Sequence, residues 1–295
     1  WYISPNEPHN KTAYFVEAPY QVDKISAQTF ADWQKQASTI ALQTPQLNPY
    51  IPDDFTLIKP EKTYDHPELI VDEPNLRVVY TPSRYFASEP KADVSVVLRN
   101  PQAMDSAKNQ VMFALNDYLA GIALDQLSNQ AAVGGISFST NANNGLMLNA
   151  NGYTQRLPQL FQALLDGYFS YTPTTEQLEQ AKSWYAQMMD SAEKGKAFDQ
   201  AIMPVQMLSQ VPYFLREERR ALLPSITLDD ILTYRNALKT NARPEFLVVG
   251  NLSEQQAKDL AQGVQKTLGA NGNEWCRNKD VLVDKQQSVI FEKAG

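Results

Sequence analysis

The chain has 295 residues, 43% of them hydrophobic, and a formal net charge of −7. This length suits one large or two ordinary domains, and the composition supports a buried core. Acidic and basic residues are mixed, which argues against a nucleic-acid partner, and no apolar run approaches the ~20 residues of a membrane-spanning helix. The single cysteine, Cys276, cannot form an internal disulfide, and its surroundings favour a passive thiol.

The first 42 residues contain too few elements for an independent core. Residues 1–4 and 12–16 have the composition of strands, and residues 27–42 have helical periodicity, with Phe30 and Trp33 on the apolar face. Two strands and one helix bury too little surface to stand alone. We therefore expect residues 1–42 to be the C-terminal end of a preceding domain.

A connector follows at residues 43–56. Its core, N-P-Y-I-P-D-D-F at 48–55, combines proline, asparagine and aspartate. Such a segment is stiff and polar, and it favours neither a helix nor a central strand. We interpret residues 43–56 as the link to a second, longer pattern of elements.

Strand and helix signals then continue to about residue 268. Strands are predicted at 76–80, 94–98 and 245–250, and a hairpin at 136–150 with its turn at 143–145. The predicted helices and their apolar stripes lie at 105–129 (Met112, Leu115, Leu119, Ile122), 156–168, 174–190 (Leu178, Ala181, Tyr185, Met188), 198–210, 215–222 and 253–268. A further helix is predicted to start at Thr227.

Three of these helices begin with a capping box. The pairs are Thr174 with Gln177, Thr227 with Asp230, and Ser253 with Gln256. Strands and helices do not alternate regularly, which predicts an α+β fold with an antiparallel-dominated sheet and helices packed on one face. Residues 275–283 and 288–291 have the pattern of a linker and the first strand of another domain.

The residue inventory offers no catalytic or metal-binding motif. The two histidines, His9 and His66, lie in polar loops, and neither H-E-x-x-H nor H-x-x-E-H occurs. A weak metal site of His66 with Asp65 and Glu68 is conceivable, but an exposed loop histidine is favoured. Ser137 and Ser139 have no histidine placed to activate them. We therefore predict no catalytic, metal-binding or cofactor-binding residue in this chain.

Other polar clusters have structural interpretations. Asp229 and Asp230 suit the first turn of a helix, where carboxylates complement the helix dipole. The pairs Met188/Met189 and Met203/Met207 are typical of core positions. The charged run at 216–220 favours a solvated helix end over an interdomain contact.

Four runs resemble the insulysin-like family of zinc metallopeptidases, which carry an inverted H-x-x-E-H motif. They are W-Y-I-S-P at 1–5, the connector at 48–55, residues 76–99, and Y-F-L-R-E-E-R-R at 213–220. Their order and spacing agree with the family along the whole chain. Members of this family are built from four homologous α+β domains, and their two halves close around a peptide.

The resemblance implies a division into four parts. Residues 1–42 are the end of the second domain and 43–56 the connector between the halves. Residues 57–272 are a complete, non-catalytic third domain, and 273–295 are a linker and the start of the fourth. The zinc site of the family lies in a domain that this chain lacks. Gln187 stands where the catalytic domain has a metal-binding glutamate, and a neutral amide is a poor zinc ligand.

The function implied by the resemblance is that of a non-catalytic segment of a periplasmic zinc metalloendopeptidase. The segment would form part of the peptide-enclosing chamber, with the catalytic half and peptide substrates as partners. Zinc would belong to the parent protein, and no cofactor to this chain. Two alternatives stay open: a stand-alone inactive scaffold or binding protein related to these proteases, and an unrelated hydrolase that uses two carboxylates.

Overall fold

The structure is a computed structural model. It describes residues 8–37, 39–40, 46–60, 62, 64–83, 87–142, 145–196, 198 and 213–269. The predictions for residues 1–4, 143–144, 199–210 and 275–291, Cys276 and the Met203/Met207 pair among them, fall outside these ranges. The chain divides into two compact units, Trp1–Leu47 and Asn48–Gly295.

The first unit contains a two-stranded sheet and one helix. Strand β1 (Lys11–Thr12) pairs antiparallel with β2 (Pro19–Tyr20), and helix α1 spans Ala27–Ala37. The predicted strand at 12–16 is wrong, because residues 14–16 form the turn between β1 and β2. The amide of Glu17, a residue with a φ of 50°, donates to the carbonyl of Ala13 at 2.9 Å, which closes this turn. The helix prediction is confirmed for Ala27–Ala37.

The second unit is built on a six-stranded sheet. Its strands are β3 (Glu68–Glu73), β4 (Leu76–Thr81), β5 (Lys91–Arg99), β6 (Ile136–Ala142), β7 (Gly145–Tyr153) and β8 (Arg243–Gly250). They lie in the order β3-β4-β8-β5-β7-β6, and every neighbouring pair is antiparallel except β4 with β8. The predicted α+β class with an antiparallel-dominated sheet is confirmed.

Alternation of side chains explains which face of this sheet is buried. On β5, Val94, Val96 and Leu98 are fully buried, and their neighbours along the strand point to the opposite face. Strand β3 was not predicted from the sequence, because E-L-I-V-D-E has no clean alternation and ends in carboxylates. It forms as the hairpin partner of β4, with a register shift between Leu69 and Val71.

The helices of the second unit share one hydrophobic core with the buried face of the sheet. They are α2 (Ala107–Val133), α3 (Leu157–Ser170), α4 (Thr175–Glu193), α5 (Arg216–Leu222), α6 (Leu228–Thr240) and α7 (Glu254–Leu268). The three predicted capping boxes are all present, at the starts of α4, α6 and α7. No helix in the described ranges has both the length and the apolar character needed to cross a membrane.

Two residues of the predicted apolar stripes are placed differently. Met188 on α4 is 43% exposed, whereas its neighbour Met189 is 2% exposed and takes the core position. Tyr185 and Met189 are four residues apart and therefore lie on the same face of the helix. On α2, Ile122 lies at the surface, although Met112, Leu115 and Leu119 are buried as predicted.

The proline-containing segment that begins at Asn48 packs against the second unit. The side-chain amide of Asn48 donates to the carbonyl of Gln130 at 2.7 Å, and Tyr50 is buried. Further along, Asn251 makes two hydrogen bonds to the backbone of Ile58, at 3.0 and 2.9 Å. These contacts fix the segment at both of its ends.

The middle of the same segment is held by α3 and the turn before it. The side-chain oxygen of Gln155 accepts hydrogen bonds from the amides of Asp53 and Asp54, at 2.9 and 3.2 Å. Arg156 donates to the carboxylate of Asp53 at 3.0 Å and to the carbonyl of Ile51 at 3.3 Å. The segment from Asn48 to Ile58 is therefore ordered on the second unit, and we call it the strap.

Gly134, at the end of α2, provides a test of this packing. A Cβ there would lie 2.3 Å from the carbonyl oxygen of Tyr50, a contact that forces the strap to move. We expect Gly134→Ala to lower the free energy of unfolding by ~1–3 kcal/mol, as overpacking does elsewhere. Gly121→Ala is the matched control, since nothing lies within 4 Å of a Cβ at that position on the same helix.

The control is expected to raise stability by up to about 1 kcal/mol, because alanine has the higher helix propensity. Urea denaturation of the two variants and the parent chain measures both effects. Equal shifts for Gly134→Ala and Gly121→Ala would contradict the close packing of the strap.

Candidate functional site

We call the face of the six-stranded sheet opposite the helices the outer face. Its centre carries an apolar band. The cross-strand register aligns Leu69 with Val79, Val79 with Leu247, and Leu247 with Ser95. Leu69 is 46% exposed and Leu247 is 42% exposed. An exposed apolar band on a flat sheet is suited to contact with another chain.

A network of charged residues borders this band. Arg99 and Arg243 lie opposite each other on β5 and β8. Glu245 accepts a hydrogen bond from each of them, at 3.0 and 2.6 Å. Arg243 is 1% exposed and also donates to the carbonyls of Glu73 and Pro74, at 3.1 and 2.9 Å. The carboxylate offsets the repulsion between the two cations, and Arg243 ties β8 to the β3–β4 turn.

Towards β6 the outer face carries uncharged polar side chains. Ser137 donates to the side-chain oxygen of Asn151 at 2.9 Å, and the amide of Asn141 donates to Ser139 at 3.3 Å. Ser137, Ser139 and Asn141 are exposed. Ser137 and Ser139 therefore lie on the exposed side of β6. This part of the face can form hydrogen bonds without selecting for charge.

Beneath the sheet lies a polar cluster that the sequence analysis did not identify. Arg235 on α6 is 2% exposed, and its Nε donates to the side-chain oxygen of Asn116 at 2.7 Å. Its Nη1 donates to the carbonyl of Tyr171, and its Nη2 has no partner among the described protein atoms. Burial lowers the pKa of the Arg235 guanidinium. The only sequence signal was a polar residue, Asn116, beside the apolar stripe of α2.

A half-buried group, Asp117, links α2 to the sheet. Its carboxylate accepts hydrogen bonds from the hydroxyl of Tyr168, at 3.3 Å, and from Thr140 on β6. Burial raises the pKa of Asp117 above its ordinary value of 3.8, although the two hydrogen bonds oppose this shift. Burial and the nearby Asp117 raise the pKa of Tyr168 well above 10.0. These two hydrogen bonds connect α2 with α3 and with β6.

A cavity of about 570 Å³ lies between the strap and helices α3 and α7. Asp54 and Ile58 line it from the strap, Gln162 from α3, and Asp259 and Leu260 from α7. Its polar groups do not form a nucleophile with a neighbouring base, so its geometry does not indicate catalysis.

The residues considered for metal binding belong to both compact units. His9 is exposed in the first unit, and His66 with Asp65 is exposed in the second. Gln187 is exposed on α4, on the side away from the buried Tyr185. In the described part of the chain, no group of three or more His, Cys, Asp or Glu side chains is placed to hold a metal ion.

The remaining sequence candidates lie at the ends of helices. Asp230 accepts hydrogen bonds from Lys108, at 2.7 Å, and from the backbone of Thr227, at 2.9 Å, and these contacts lower its pKa to about 2. In the charged run of α5, Arg219 donates to the hydroxyl of Tyr185 at 3.2 Å, and Arg220 contacts the carboxylate of Asp190. Both arginines therefore contact α4 of the same unit.

Comparison with known proteins assigns the chain to a family of peptidases. Residues 1–221 match the middle or third domain of peptidase M16, and residues 225–295 match the peptidase M16 inactive domain. The chain therefore belongs to the peptidase M16 family. The resemblance to this family that the sequence motifs indicated is confirmed.

Three relatives show which member of the family the chain resembles. It is 83% identical to Protease 3 of Shigella flexneri and 82% identical to Protease 3 of Escherichia coli K12, over 100% of this chain and 31% of each relative. The crystal structure of pitrilysin matches 94% of this chain and 30% of that one, with 82% identity and a TM-score of 0.83. The chain thus spans about 31% of the length of these relatives.

The half-buried carboxylate of Asp117 gives a pH-dependent prediction. Its pKa is higher in the folded state than in the unfolded chain, so its contribution to stability is complete below pH 3.8 and is lost as the pH rises through the folded pKa. Asp117→Asn is neutral throughout. We therefore expect the free energy of unfolding of the variant to increase relative to that of the parent chain as the pH rises above 3.8.

Chemical denaturation at a series of pH values measures this difference. Asp125→Asn, at an exposed position on the same helix, is the control for loss of one negative charge. Parallel pH profiles for Asp117→Asn and Asp125→Asn would contradict the role assigned to burial.

Proposed function

We propose that this chain is a non-catalytic segment of a periplasmic zinc metalloendopeptidase and forms part of the wall of a peptide-enclosing chamber. The observation that carries the proposal is the identity of 80–83% to Protease 3 from several bacteria, measured over all 295 residues of this chain. These residues make up 31% of the length of each relative. The match of residues 225–295 to a domain described as inactive supports the non-catalytic role. Zinc and the hydrolytic chemistry then belong to other parts of the parent protein.

The domain assignment follows from the same proposal. Residues 1–42 complete a preceding domain, 43–56 connect the two halves, 57–272 form the complete non-catalytic domain, and 273–295 begin the next. The compact unit that starts at Asn48 and the strap that packs on it support placing the latter part of the connector with the third domain. In this arrangement Gln187 occupies the position of a metal-binding glutamate without binding metal.

The outer face has the chemistry that a chamber wall requires. Its apolar band contacts peptide side chains without strong selectivity, and its serine and asparagine side chains provide hydrogen bonds. The pairing of Arg99 and Arg243 with Glu245 reduces the excess of positive charge. An enclosed chamber limits substrates by size and keeps a bound peptide near the catalytic group.

The first test compares the chain alone with the chain mixed with a separately produced catalytic half. We expect no bound zinc and no peptide hydrolysis for the chain alone. We expect hydrolysis to increase on mixing and to be abolished by a metal chelator. Zinc analysis and cleavage of a fluorogenic peptide measure these outcomes, and circular dichroism establishes that the chain is folded.

Two results would contradict the proposal. Stoichiometric zinc with chelator-sensitive hydrolysis in the chain alone would show that a metal site was overlooked. A folded chain that leaves the catalytic half unchanged would instead favour the stand-alone scaffold.

A variant of the outer face tests the chamber more directly. In the full-length protease, Leu247→Asn removes the centre of the apolar band. We expect KM for long peptides to rise about fivefold, from the loss of about 1 kcal/mol of apolar contact. Leu232→Asn is the matched control, because this leucine on α6 is 38% exposed but lies on the helical side. Steady-state kinetics with equal KM values for both variants would contradict a peptide-facing outer face.

A further inference from the structure

The two edges of the six-stranded sheet are built differently. Edge strand β3 has a register shift between Leu69 and Val71 and carries Glu68, Asp72 and Glu73. Bulges and charged residues are the usual means by which proteins prevent an edge strand from pairing with another chain. The β3 edge is therefore protected.

Edge strand β6 has none of these protective features. Its sequence, I-S-F-S-T-N-A, contains no charged residue and no proline. It pairs with β7 from Ile136 to Ala142 in unbroken register. A regular, uncharged edge of this kind is a template on which a further strand can form.

The position of β6 is fixed from the core side. Ile136 is 1% exposed, and the half-buried Phe138 packs against the core. Thr140 is held by its hydrogen bond to the half-buried carboxylate of Asp117 on α2. Because these side chains point inward, the strand keeps its extended conformation, and little ordering is needed when a partner binds.

The main chain of β6 determines which partner fits. In an antiparallel pair, alternate residues direct their N–H and C=O groups to the neighbouring strand, and the residues between them direct theirs outward. In the described structure β6 has a strand neighbour only on the β7 side. The outward row of alternating donors and acceptors matches the main chain of another extended segment.

We infer that the β6 edge binds an extended peptide, which adds to the sheet as a seventh strand. The inference deepens the proposed function and rests on it, since it places the enclosed peptide on a particular element of the wall. Recognition uses the peptide backbone, while Ser137, Ser139 and Asn141 flank it with uncharged polar groups. Recognition through the peptide backbone therefore tolerates many sequences.

Hydrogen exchange in the full-length protease tests this inference. The enzyme is first depleted of metal so that the probe, an uncharged and unstructured peptide, stays intact. We expect the peptide to slow amide exchange in residues 136–142 about fivefold or more, and to leave residues 68–73 of the protected edge unchanged. A peptide with the same side chains but N-methylated at each central residue is expected to give no protection, because it lacks the main-chain donors.

A pair of variants provides a second measurement. Asn141→Pro removes a main-chain donor from β6. Asp72→Pro is the control on the protected edge, because Asp72 precedes the closing pair Glu73–Leu76 of the hairpin and so directs its main chain outward. We expect peptide affinity to fall about fivefold for Asn141→Pro and to stay unchanged for Asp72→Pro. Equal affinities of the two variants would overturn the inference.

Three exchange results would also overturn it. These are equal protection by the N-methylated peptide, protection of β6 that is complete before peptide is added, and protection confined to other parts of the outer face. The second would mean that another segment or a second copy already occupies the edge. The third would be consistent with the proposed chamber wall but would contradict peptide binding at the β6 edge. Protection of β6 without any gain of activity on mixing with the catalytic half would support peptide binding at the β6 edge and contradict the proposed chamber wall.

Discussion

The insertion of β8 between β4 and β5 is the constraint on which the second unit depends. β8 pairs parallel with β4 and antiparallel with β5, so it joins the β3–β4 hairpin to the β5-β7-β6 half of the sheet. Phe246 and Val248 extend the buried face across this junction, and Arg243 binds the carbonyls of the β3–β4 turn. Without β8, the two parts of the sheet would have no strand to join them.

This arrangement also determines which surfaces are available for function. The helices that connect β5 to β8 pack on one face, which leaves the outer face and the β6 edge for other partners. Asp117 of α2 accepts a hydrogen bond from Thr140 of β6, so the exposed edge strand is connected directly to the helical layer. A rigid edge supported from the core is better suited to binding than a mobile one, because less entropy is lost on association.

Family membership and the described geometry agree in one respect. Among the residues that the structure describes, no group of three or more His, Cys, Asp or Glu side chains is placed to hold a metal ion. The core of the second unit nevertheless contains polar groups, as the burial of Arg235 beside Asn116 shows. There they orient α6 against α2, and their role is in packing.

The sequence by itself determined the features that depend on neighbouring residues. The capping boxes at Thr174, Thr227 and Ser253 join residues three apart, and the alternation on β5 is visible in a single strand. The tertiary structure decided the rest. β3 is a strand only because β4 pairs with it, and the exposed Met188 and buried Met189 depend on how α4 packs. The order of the sheet and the contact of Arg235 with Asn116 join residues far apart in the chain, whose pairing no local pattern encodes.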